Sequence, residues 1–129
     1  MNHPANIEIF KSEIAEFWFG DEGILYCNAT PVERTIDNVT ESFNLVEKIT
    51  GGKRVCLLTD LTNTGVQSKK ERDFAMEMLP RYYKVMAVIT NSDFQRTIAN
   101  IFLSLYNTPI PIKIFKTENE AKEWLMTFI

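Results

Sequence analysis

The chain holds few groups able to do covalent chemistry, and they are scattered. His3 is the single histidine. No Ser/His/Asp or Cys/His arrangement can be assembled from the rest. Cys27 and Cys56 sit far apart in apolar runs, and with one terminal histidine they do not make a zinc set. Neither a Walker loop nor a GxGxxG turn occurs. Asp and Glu are spread over what read as helix surfaces. The expectation is a protein that is not an enzyme, with no cofactor and no metal.

The most promising segment is 59–68, Thr-Asp-Leu-Thr-Asn-Thr-Gly-Val-Gln-Ser, followed by Lys69, Lys70 and Arg72. It leaves a strand and enters a helix. In α/β sheets ligands favour the carboxyl edge of the strands, and a helix N-terminus offers free N–H groups to an anion. Ser68 is therefore the candidate phospho-acceptor. Asp60, Thr64, Lys69 and Arg72 are the candidate anion-binding or partner-binding residues. A plainer reading stands beside this one and is preferred: Ser68 is only an N-cap, and the basic residues are a solvated face.

A second feature is apolar excess on the third helix. Ile98, Phe102, Leu103 and Tyr106, with Ala99, Ile101 and Leu105, cover more than one helix face. Surplus apolar surface suggests a protein interface, or a pocket for a small apolar ligand. A helix buried deeply by its neighbours explains the pattern equally well. Trp18, Tyr82 and Tyr83 read as core or strand-edge residues.

The elements that must position these groups follow from periodicity. Ile7 to Phe10 and Ile14 to Phe19 read as strands. Residues 20–23 are a turn, and Ile24 to Cys27 returns as a strand. Val32, Ile36, Val39, Phe43, Val46 and Ile49 form one face of a long helix closed by Gly51-Gly52. Val55 to Leu58 is a continuous apolar run, expected of a strand buried on both faces. Further helices are expected over 69–79 (ended by Pro80), 93–106 and 118–127, with strands at 85–89 and 112–115. Each helix is expected to open with a capping box: Thr30/Glu33, Ser68/Glu71, Ser92/Gln95 and Thr117/Glu120. Pro31 would stand at the first helical position. The fold class is α/β, a mixed sheet in which N-terminal antiparallel strands precede α-β-α-β-α-β-α.

At 129 residues the chain fits one domain, 1–129. A net charge of −3 argues against a nucleic-acid partner and against an anionic membrane surface. No apolar run approaches the ~20 residues of a membrane span. The N-terminus has no signal-peptide pattern. Two buried thiols in a reducing compartment are preferred to a disulfide. The expected location is cytoplasmic.

The chain resembles the fold shared by STAS domains and bacterial anti-sigma-factor antagonists (SpoIIAA-like), and most of all small uncharacterised bacterial proteins of that STAS-like group. The resemblance rests on Gly51-Gly52-Lys53, on Thr59-Asp60 ending a strand, and on the run from Lys70 to Phe74. It continues through Met86 to Ile89, Asn100 to Leu105, Pro109 to Phe115 and Glu120 to Leu125. It covers the chain from about Gly23 onward. It implies a protein-interaction or signalling module with a protein partner, and a homodimer among the states to expect. In the antagonists a serine at the start of the helix after the central strand is phosphorylated. Ser68 matches it by position, although their Asp-Ser-Ser-Gly run is replaced here by Gln67-Ser68-Lys69-Lys70. The wider fold neighbourhood includes lipid-transfer domains. A carrier of a small apolar or lipid-like ligand is therefore the alternative.

Overall fold

A computed structural model describes residues 1–105 and 107–129, with every side chain in that range except those of Ile98 and Phe102. Strands β1 (Phe10–Lys11), β2 (Ala15–Phe19) and β3 (Leu25–Ala29) are antiparallel. The β2–β3 turn closes with the Gly20 N–H donating to the Ile24 carbonyl at 2.9 Å. Gly23 there takes φ 80°, a conformation that costs glycine nothing. Strands β4 (Val55–Asp60), β5 (Tyr83–Ile89) and β6 (Ile112–Phe115) then run parallel to β3. They are joined by α1 (Ile36–Thr50), α2 (Lys69–Tyr82) and α3 (Asp93–Leu105), and α4 (Glu118–Met126) ends the chain. The sheet order is β1-β2-β3-β4-β5-β6. The expected mixed α/β sheet is what forms.

Strand periodicity sends alternate residues to opposite faces. Leu25, Leu57 and Phe17 join Val39, Phe43 and Val46 of α1 and Leu79 of α2 on one face. Trp18, Tyr26, Leu58 and Val85 join Ala121 and Leu125 of α4 on the other, with Met1, Ile7 and Ile9 packed around them. Both faces of β4 are covered, which is why Val55 to Leu58 is apolar without alternation. Cys27 and Cys56 are free and buried. Among the described residues no helix is long and apolar enough to cross a membrane.

Several local expectations are corrected. The first helix does not start at Thr30. The Thr30 N–H donates to the Ile14 carbonyl at 2.9 Å and its hydroxyl to the Glu13 carbonyl at 2.8 Å, so it ends the hairpin instead. The cap is Thr35, whose hydroxyl accepts from the Asn38 N–H while Asn38 Oδ1 accepts from the Thr35 N–H. Pro31 is therefore outside the helix. Pro80 does not end α2 but lies within its last turn. Ser92 and Thr117 accept from the N–H groups of Gln95 and Glu120 at 3.2 Å each, the N-cap half of the expected boxes. The first strand is Phe10–Lys11, later than Ile7.

Candidate functional site: a cavity between the sheet and three helices

The face covered by α1, α2 and α3 is incompletely filled. A cavity of about 380 Å³ lies between it and the helices. Its floor is the strand face made by Phe17, Cys27, Leu57, Met86, Val88 and Ile114. Its roof is Val39 and Phe43 of α1, Ala75, Met76 and Leu79 of α2, and Ala99 and Leu103 of α3. Apolar side chains dominate this lining, so water inside it would find few partners.

The polar lining comes from the carboxyl ends of the strands and the loops behind them. Thr59 sits near the end of β4, beside Cys27 of β3 in register. Arg34 precedes α1, Gln67 belongs to the β4–α2 loop, and Arg72 is in the first turn of α2. Two loops are locked together to place Arg34. Its backbone N–H donates to the Val66 carbonyl at 2.9 Å. Gly65 runs so close to this segment that a Cβ would fall 1.9 Å from the Val32 carbonyl oxygen. Only glycine fits such a backbone approach.

Burial in the cavity wall pushes the Cys27 thiol up to about 11, an effect that hydrogen bonding to Thr59 and the charge of Arg34 only partly offset. The thiol is therefore neutral near pH 7 and a poor nucleophile. Burial also raises the Tyr83 phenol well above its ordinary range. Burial lowers the Arg34 guanidinium from its usual value.

The loop residues singled out by sequence are not gathered into one site. Ser68 is exposed, and its hydroxyl donates to the Glu71 carboxylate instead of accepting from a helix N–H. That bond, with backbone donors, holds Glu71 below the usual carboxylate range. Lys69 pairs with Asp73 at 2.6 Å. Thr64 is exposed, its N–H donating to the Leu61 carbonyl at 3.1 Å. Asp60 is turned inward to the Met1 ammonium at 2.6 Å, and its other oxygen accepts from the Thr62 N–H at 2.9 Å. Burial opposes ionisation of Asp60, but these donors outweigh it and the carboxyl lies below its ordinary value. Of this group only Arg72 reaches the cavity lining.

On α3, Leu103 lines the cavity. Tyr106 and the side chains of Ile98 and Phe102, named above as candidates, lie outside the described residues. Three other α3 side chains face outward: Phe94 is 75% exposed, Ile101 52% and Leu105 75%. Asn100 fixes α3 to the edge strand, donating to the Ile114 carbonyl at 3.0 Å and accepting from its N–H at 3.2 Å. Thr59 and Gln67 lie within the segment 59–68 that the sequence singled out, though not among its named candidates, and Arg34 was missed altogether. Arg34 carried no signal, because it stood just inside the expected helix and off its apolar face of Val32, Ile36 and Val39. Among the described residues no group of three or more His, Cys, Asp and Glu gathers to hold a metal ion.

A family model described as "Domain of unknown function (DUF7793)" matches residues 17–129. A crystal structure of an uncharacterised protein of the DUF3478 family with a SpoIIAA-like fold, from Shewanella loihica PV-4, is similar over 97% of this chain and 98% of that one, with a TM-score of 0.59 and 23% identity. That similarity shows the fold: it is SpoIIAA-like. A protein of unknown function from Arthrobacter sp. FB24 matches at 24% identity over 86% of this chain and 92% of that one, with a TM-score of 0.30. No curated protein matches the sequence. The chain belongs to the DUF7793 family.

Proposed function

We propose that this DUF7793 member is a non-enzymatic binding module that holds a small apolar ligand between its sheet and helices α1 to α3. The observation that carries this reading is the cavity of about 380 Å³ with its apolar lining. Its size falls within the range of about 300–1,000 Å³ that accommodates small ligands. The neutral Cys27 thiol and the dispersed carboxylates are in keeping with binding rather than turnover.

Native mass spectrometry of the protein purified from its own source, then incubated with decanol, tests the reading. The expected spectrum shows one non-covalent adduct per chain, lost in Ala75→Phe, which fills the cavity from α2. The bare mass alone, before and after incubation, would sink the proposal.

A second reading is favoured by a separate observation, the exposed stripe of Phe94, Ile101 and Leu105 on α3. On this reading the stripe docks a protein, a second copy of the chain being the simplest case, as in a signalling module. Ser68 is accessible to a kinase there, though a phosphate would stand against Glu71. The same spectrum reports stoichiometry and covalent phosphate. A dimer abolished by Ile101→Asp supports the reading; a bare monomer at every concentration removes it.

A further inference from the structure

The body of the ligand follows from the cavity's apolar wall. Its head follows from what the wall lacks. Arg34 and Arg72 line the cavity, and no Asp or Glu does so among the described residues. This holds in a chain whose net charge is −3. The region is therefore opposite in sign to the molecule that contains it.

Arg34 is the more informative of the two. Its Nε is buried and has no hydrogen-bond partner among the described residues. The ion pairs found there join Asp60 to Met1, Glu16 to Lys11, Asp73 to Lys69, Asp93 to Arg96 and Glu22 to Lys122, and none involves Arg34. A guanidinium remains protonated in proteins. Leaving that Nε–H buried with no acceptor is costly, and folds rarely leave a buried donor unpaired. The cost here is enforced by the fold, since Gly65 and the Val66 carbonyl hold the Arg34 segment against the β4–α2 loop.

We infer that the ligand is an amphipathic carboxylate, with its apolar body between the sheet and the helices and its carboxylate against Arg34. Arg72 supplies a second cation, and Thr59 and Gln67 supply neutral polar groups in the same lining. The planar guanidinium fork suits a carboxylate better than it suits a neutral alcohol. This assignment rests on the cavity being a ligand site at all.

Isothermal titration of the full chain with decanoate and, separately, with decanol distinguishes the two levels of the claim. The wild-type protein is expected to bind decanoate about tenfold or more tightly than decanol, the advantage of a hydrogen bond to a charged group. Arg34→Gln is expected to reduce that ratio to about threefold or less, and Arg72→Gln to reduce it by a smaller factor, as a partly solvated charge should. Equal binding of both compounds by the wild type would overturn the carboxylate head and leave the cavity reading standing. Binding of neither would remove both. A full preference surviving in Arg34→Gln would overturn the role given to Arg34. The wild-type comparison decides the ligand class even if a variant folds poorly.

Discussion

The two faces of the sheet are built from the same kinds of residue and reach different ends. On the α4 face, Trp18, Ile24, Leu58 and Leu125 are among the most completely buried large side chains in the protein. Trp18 stacks on Tyr26 with ring centroids 5.7 Å apart, and Ala121 brings the helix backbone down against them. On the opposite face, three helices and a comparable set of apolar side chains leave about 380 Å³ open. A protein interior is ordinarily filled to crystal-like density. Leu25 and Val46 are fully buried on this second face too, so both faces stabilise the fold, but only this one keeps room that a stability requirement alone would fill.

The largest expected effect that breaks this contrast is a truncation on the filled face. Leu58→Ala should cost about 4 kcal/mol, because a fully buried leucine leaves a new void. Met76→Ala on the cavity wall should cost about 1 kcal/mol, since it already borders empty space. Urea unfolding of the two variants measures the difference, and equal losses would contradict it. Addition should show the opposite tolerance. Ala121→Phe should destabilise by about 3 kcal/mol through overpacking, and Ala75→Phe by less than about 1 kcal/mol while abolishing decanol binding.

Next in size is the ion pair that fixes the N-terminal segment on the filled face. Asp60→Asn should cost about 2 kcal/mol, the value of a hydrogen bond to a buried charge. The folded carboxyl lies below its ordinary value. Its stabilisation is therefore complete above about pH 4 and is lost as the pH falls through the folded value. Melting temperatures between pH 2 and pH 6 should converge for wild type and Asp60→Asn at the acid end. A constant gap would exclude the linkage.

The smallest effects sharpen the polar part of the cavity. Gly65→Ala must move backbone, since its Cβ would meet the Val32 carbonyl. It should cost about 1–2 kcal/mol and weaken decanoate binding more than decanol binding. Thr35→Ala should cost about 1 kcal/mol through the lost cap, with the decanoate-to-decanol ratio unchanged. Similar ratios in both variants would detach Arg34 from the loop geometry.

Most of the fold was legible in the sequence. The unbroken apolar run at Val55–Leu58 marked a strand covered on both sides, and helical spacing located all four helices. The first helix start was misread because Thr30-Pro31-Val32-Glu33 is a good capping signal locally, yet Thr30 is taken by the hairpin and Asn38 completes the real cap at Thr35. Beyond Leu103 on the apolar-rich third helix, the cavity was not legible. Met86, Val88 and Leu57 have the same residue types whether neighbours press on them or stand off, and the spacing of three helices from a sheet is a tertiary quantity. Arg34 is the clearest case, since its chemistry is set by the loop it lies against and not by its neighbours in sequence.

The most direct measurement is a decanol titration followed by methyl carbon and proton shifts. The contrast between the two faces predicts saturable shifts at Leu57, Leu79, Val88 and Leu103, with Leu58, Val85 and Leu125 unmoved. No saturable shift, or shifts of similar size on both faces, would contradict it.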